Sequence, residues 1–161
     1  IGELVRQAKF AEIAANRLQK NTDNFDELEI WGAIQSILAA AGNASKILWP
    51  ARRSSLKRGK RLRDALGIKD ENPLSDRNIR NHFEHYDERI EDWLKEIQSS
   101  VYTDSVIDPF PPIWGRAFSN RHREYNPVTQ IVIFRGESVD LANLLSALDE
   151  LLEKCRPYVL V

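Results

Sequence analysis

The chain has no methionine and only one cysteine, Cys155. A lone cysteine excludes an intrachain disulfide and fits a reducing, cytoplasmic setting. The sequence begins at Ile1 and contains no Met, so the true N-terminus is expected upstream. No apolar stretch approaches the roughly 20 residues of a membrane span, and no signal peptide is visible. A membrane partner is therefore not expected. No glycine-rich phosphate loop is present, which excludes a P-loop nucleotide hydrolase. Charge of either sign is not in excess: 23 Lys and Arg face 24 Asp and Glu, for a net charge of −1. That balance removes any global attraction to nucleic acid, so such binding would need a local basic patch. One Cys and three His in no known ligand spacing argue against a metal site, and no cofactor is expected.

What is present suits a soluble globule. With 161 residues and 42% apolar side chains, one domain spanning 1–161 can bury a real core. Over residues 2–20, Leu4, Ala8, Ala11, Ala15 and Leu18 recur at helical steps. Asn21 to Asn24 breaks that helix, and Asp23 or Asn24 is a candidate cap for the next. The second helix runs from about Phe25 to Leu48, with Leu28, Trp31, Ile34, Ile37, Leu38 and Ala41 as its stripe. Trp49-Pro50 ends it. A short helix begins near Ser54 or Ser55 and stops near Gly67. Pro73 and Ser75 open the third long helix, whose buried stripe is Ile79, Phe83, Tyr86, Ile90, Leu94 and Ile97.

Beyond Ser99 the texture changes. The run Asp108-Pro109-Phe110-Pro111-Pro112 cannot be helical. Trp114–Phe118 and Thr129–Phe134 are rich in aromatic and β-branched residues, which predicts one or two short strands. Ser138 or Asp140 then starts a last helix, with Leu141, Leu144, Leu145, Leu148, Leu151 and Leu152 facing inward and Cys155 as a small core residue. The economical fold is mainly α: a four-helix, up-down bundle with one short extra helix. A small irregular or β-hairpin insertion, residues 108–135, precedes the last helix.

Two stretches carry chemistry. The first is Arg80-Asn81-His82-Phe83-Glu84-His85-Tyr86, inside the third helix. At about 100° per residue, His82 lies beside the buried stripe, whereas Asn81 and His85 lie on the outer face with Arg77, Glu84 and Glu88. Arg80 flanks that face. A histidine near neutral pKa can move the proton of a ribose 2′-hydroxyl, and an arginine can hold the phosphate in a bidentate grip. The second stretch is the charge run 52–63, with Arg52, Arg53, Lys57, Arg58, Lys60, Arg61 and Arg63. It is either a solvated helix face or a phosphate-binding ridge, and its lack of aromatics argues against base stacking. His122, between Arg121 and Arg123, is expected on the surface of a loop.

The motif resembles the HEPN superfamily of small helical bundles, whose ribonuclease members carry Arg-x4-6-His, often as Arg-Asn-x-x-x-His, on a late helix. Arg80-Asn81-His82-Phe83-Glu84-His85 fits that pattern, and so does the overlapping Arg77-Asn78-Ile79-Arg80-Asn81-His82. The outward position of His85 favours the first. The resemblance covers the helical layout and about seven motif residues, and leaves 108–135 unexplained. It implies a metal-independent endoribonuclease of toxin or antiphage type, with Arg80, Asn81 and His85 as its catalytic set. The products would be a 2′,3′-cyclic phosphate and a 5′-hydroxyl. The basic run, with Arg77, would bind RNA. A homodimer with the motif at its two-fold interface is implied too, as is an antitoxin or other regulatory partner. The alternative is a non-catalytic module of the same fold that binds RNA, a nucleotide or a protein.

Overall fold

The computed structural model describes residues 1–76, 86–96, 103–109 and 121–159. The chain is mainly helical with a small four-stranded sheet. It forms two compact units: Ile1–Arg80 together with Asn143–Val161, and Asn81–Ala142.

In the first unit, α1 (Gly2–Thr22) and α2 (Glu27–Leu48) form an antiparallel hairpin. Asn43 Nδ2 donates to Gln7 Oε1 at 3.3 Å near one end, and Arg17 pairs with Glu29 at 2.6 Å near the other. Leu4, Ala8, Ala11, Ala14 and Leu18 are the buried apolar line of α1. Ala14 thus takes the inward position expected for Ala15. Thr22 Oγ1 and Asn21 Nδ2 donate back to the Leu18 and Arg17 carbonyls, which satisfies acceptors that a helix end leaves unpaired.

Asp26, not Asp23 or Asn24, caps α2: its carboxylate accepts from the Glu29 amide at 3.1 Å. Asp26 and Glu29 have the spacing of a capping box. This later start places Leu28 in the first turn, where it is 83% exposed, while Ile30 and Trp31 take the core. The alanines at 33, 40, 41 and 44 bury α2 on several sides and permit close packing. Trp49 closes the helix before Pro50, its amide donating to the Ser45 carbonyl.

A 3-10 turn at Arg53–Ser55 leads into α3 (Leu56–Leu66). Gly67 ends α3 with φ +60°, and Ile68 and Gly67 donate back to the Arg63 and Asp64 carbonyls. Only glycine adopts that backbone without a Cβ penalty. Lys154 Nζ and Tyr158 Oη donate to the carbonyls of Gly67 and Ala65 at 2.7 and 2.9 Å. They come from the last helix, α5 (Leu141–Cys155), and the 3-10 turn after it. Along α5, Leu141, Leu144, Ala147, Leu148, Leu151 and Cys155 are buried, and Leu145 and Leu152 only partly so.

In the second unit, α4 (Tyr86–Glu96) buries Trp93 and leaves Leu94 52% exposed. The predicted stripe had Leu94 inside. Trp93 lies one turn after the half-buried Ile90 and claims the inward direction, which rotates Leu94 out by about 100°. The predicted apolar positions Ile79, Phe83 and Ile97 lie outside the described residues.

The sheet has strand order β1-β2-β3-β4, with β1 (Val106–Ile107), β2 (Arg123–Asn126), β3 (Ile131–Phe134) and β4 (Glu137–Asp140). It is larger than the expected one or two strands. β1 runs parallel to β2, and the other two pairings are antiparallel. Tyr125, Val132, Phe134 and Val139 are buried by strand alternation. The predicted strand at Thr129–Phe134 is found as β3, and the one at Trp114–Phe118 lies outside the described residues.

Residues 137–140 form a strand rather than the start of a helix. Phe134 pairs with Glu137, so Arg135-Gly136 is a two-residue hairpin loop, with φ +48° and +85°. Two positive φ values are the signature of a type I′ turn, which holds β4 to β3 and delays the helix to Leu141.

Candidate functional site

Helix α3 and the turn before it carry the basic run. Gly59 faces the end of α2 so closely that a Cβ there would lie 2.5 Å from Pro50 Cδ and 2.7 Å from the Leu48 carbonyl oxygen. That approach fixes the rotation of α3 about its axis. Arg63, one turn later and on the same side, is turned inward. Its Nη1 donates to the Leu48 carbonyl at 2.6 Å and its Nε to Asp70 at 2.9 Å. The guanidinium also lies 5.2 Å from the Trp49 ring centroid, within cation–π range. Arg63 is therefore a structural anchor and leaves the seven-residue basic run with six outward members.

Arg52, Arg53, Lys57, Arg58, Lys60 and Arg61 are all exposed. Lys60 is held by Asp64 at 2.8 Å, a pair spaced four residues apart. Among the described residues, no acidic side chain pairs with Arg52, Arg53, Lys57, Arg58 or Arg61. On a helical projection the α3 members fall in an arc of about 160°, opposite Gly59 and Leu66.

The electrostatics of this arc run against helix stability. The N-terminal end of a helix carries partial positive charge and favours acidic residues. Here the first turn holds no acidic residue, and the Ser55 side chain at the N-cap makes no capping bond. Arg53, Lys57 and Arg58 gather at the positive pole instead. Each such cation costs roughly 0.3–1 kcal/mol at low salt. A phosphate at this end would reverse the sign of that cost.

Arg77, Arg80, Asn81, His82 and His85 lie outside the described residues. Among the described residues, no group of three or more His, Cys, Asp or Glu has metal-site geometry.

His122 is not on the surface. It is 4% exposed, and its ring lies 4.8 Å from that of Trp93 on α4. Its amide donates to the Thr103 carbonyl and its own carbonyl accepts from Arg135, so the backbone is tied on both sides. Nδ1 lies 3.4 Å from Asp104 Oδ1. Arg123 grips Asp104 from the other side, with Nε donating to Oδ1 at 2.8 Å and Nη2 to Oδ2. The Ser105 amide adds a third donor at 2.8 Å. Burial alone would raise the Asp104 carboxyl, but the donors Arg123 and His122, the Arg123 charge and the Ser105 amide outweigh it. The carboxyl is held well below the usual carboxylate range. Nearby, Arg121 bonds Glu124 at 2.6 Å and lies 3.9 Å from Asp108. These groups fasten the start of β2 to the β1 segment.

Nothing local in the sequence signals this cluster, because Asp104 and Arg123 are 19 residues apart. The alternation Arg121-His122-Arg123-Glu124 was the only trace. No family model, curated protein or solved structure matches this chain.

Proposed function

We propose that this chain acts on RNA, with the α3 ridge holding the phosphate backbone and Arg80, Asn81 and His85 cutting it without a metal. The single observation that supports this best is the cluster of cations at the acid-free, uncapped start of α3. A run of charges that weakens its own helix makes sense where a polyanion sits on it. Few exposed aromatics accompany the ridge, so it would follow the backbone and not read bases.

Cleavage rests on the HEPN resemblance of residues 80–85. His85 would take the 2′-hydroxyl proton as that oxygen attacks the adjacent phosphorus. The bond from phosphorus to the 5′-oxygen would break and that oxygen would take the proton from the His85 imidazolium, giving a 2′,3′-cyclic phosphate and a 5′-hydroxyl. Arg80 would stabilise the charge on the phosphoryl oxygens, and Asn81 would orient the imidazole or the phosphate. Arg77 would extend the binding surface. The four-helix, up-down arrangement, a homodimer, an antitoxin or other regulatory partner, and a cytoplasmic location belong to the same proposal.

A second reading shares the ridge but not the chemistry: a non-catalytic binding module. The experiment is RNA cleavage in EDTA by the purified chain, beside salt-dependent RNA binding. Cleavage lost in both Arg80→Ala and His85→Ala, with binding kept, supports the nuclease. Salt-dependent binding without cleavage supports the module. Neither binding nor cleavage of any RNA overturns both.

A further inference from the structure

The outer face of the α1–α2 hairpin carries a groove that the ridge does not explain. It has a volume of about 390 Å³ and is lined by Gln7, Phe10 and Ile13 of α1 and by Ser36, Ala39 and Asn43 of α2. Phe10 and Ile13 are 53% and 59% exposed. Two large apolar side chains stand at the rim, while the floor is made of small ones. An apolar cavity of about 150 Å³ already holds a benzene ring, so this groove has room for an aromatic side chain.

The charges on this face are arranged symmetrically about Phe10. Glu3, Phe10 and Arg17 recur at seven-residue steps and so lie along one side of α1, within about 40° of each other. Phe10 is midway, with Glu3 and Arg17 each about 10.5 Å along the axis from it. A two-fold axis through Phe10 would therefore set Glu3 of each copy opposite the partner's Arg17, with the two phenyl rings meeting at the centre. Other apolar registers bring like charges together. Centring between Phe10 and Ile13 opposes Arg6 to the partner's Arg17, offsetting the Glu3–Lys20 match of the same register, and centring on Ile13 opposes Lys9 to Arg17.

We propose that this groove receives a second copy of the chain, through an antiparallel α1–α1 contact centred on Phe10. Such a contact is isologous and closes on itself. Ser36 and Ala39, being small, let the partner's Phe10 ring lean over α2. The Glu3–Arg6 and Arg17–Glu29 pairs, at 3.3 and 2.6 Å, present opposite charge to one another at the two ends. The contact lies on α1 and α2 and not on the segment carrying Arg80 and His85. It does not rest on the ribonuclease reading.

The test is sedimentation of the whole chain across a concentration series. The wild type is expected to self-associate as concentration rises. Phe10→Glu is expected to remove one step of that association with an unchanged helical circular-dichroism signal, since the side chain is exposed; a dimer that remains in the variant belongs to the interface that the HEPN resemblance implies. Glu3→Arg and Arg17→Glu each oppose like charges at both ends and should weaken the dimer about ten-fold or more. An equimolar mixture of these two variants should dimerise again, because every end then pairs opposite charges. A monomeric wild type overturns the proposal. So does association that Phe10→Glu leaves unchanged, or charge variants that fail to rescue one another on mixing. Misfolding of Phe10→Glu would leave the decision to the two charge variants, whose sites are on the surface.

Discussion

Arg63 Nη1 donates to the carbonyl of Leu48 at 2.6 Å, across the junction between α2 and α3. The bond comes from the residue that a count of charges would place in the basic ridge. Its removal should act on stability. Arg63→Ala is expected to lower unfolding free energy by about 1.5–3 kcal/mol, the range for a hydrogen bond from a charged group. Arg63→Lys should recover little of it, since an ammonium cannot span Leu48, Asp70 and the Trp49 face together. Urea titrations of the three proteins check this.

The exposed members of the ridge should differ in RNA affinity. Lys57→Ala, Arg58→Ala and Arg61→Ala each remove a cation that no acidic side chain holds among the described residues. Each should flatten the slope of log affinity against log salt by about 0.7–0.9. Lys60→Ala should change it less, because Lys60 is shared with Asp64. Binding titrations over a salt series distinguish these outcomes, and equal slopes for all four variants would contradict the geometry.

Gly59→Ala tests how α3 is seated. The added methyl would meet Pro50 Cδ at 2.5 Å and the Leu48 carbonyl oxygen at 2.7 Å. Alanine usually strengthens a helix, by about 1 kcal/mol over glycine. Here overpacking of about 1–3 kcal/mol should match or exceed that gain. A thermal melt with a raised midpoint would show that the junction yields.

Asp104 sets an acid-side dependence. Its folded carboxyl is held low, so the unfolded chain binds a proton there first as pH falls. The stability from this group is therefore fully present above the unfolded value, about 3.9, and is lost progressively as pH drops below it toward the folded value. Asp104→Asn should lower stability by a constant amount from neutral pH down to about 4, and the gap to wild type should close below that. Denaturant titrations at several pH values measure the gap.

Much of the helical part was legible because its signals are local. Gly67 stops α3, Trp49-Pro50 stops α2, and the leucines of α5 keep a helical step. The basic ridge was legible for the same reason, as its residues are contiguous. The inward turn of Arg63 follows from its phase relative to Gly59, although glycine there gives no hint of Pro50. The sheet was harder. Ser138 and Asp140 look like helix caps, yet the Arg135-Gly136 turn commits them to a strand. β1 is only two residues long, and its partner lies 18 residues further on. His122 looked exposed because arginines flank it, whereas its burial depends on Trp93 and Asp104, both distant in sequence. Periodicity reports a residue's own helix or strand and cannot report a partner that arrives from elsewhere.

The carbonyl end of α3 is held by Lys154 and Tyr158, which follow their acceptors by 87 and 93 residues. A ribosome adding roughly 5–20 residues per second reaches them about 5–20 s after finishing the helix. During that interval the nascent chain presents its cationic segment without those two ties. The ridge is thus completed only after α5 has been made, and a message truncated before the codon for Lys154 would yield a basic helix that frays from its C-terminal end.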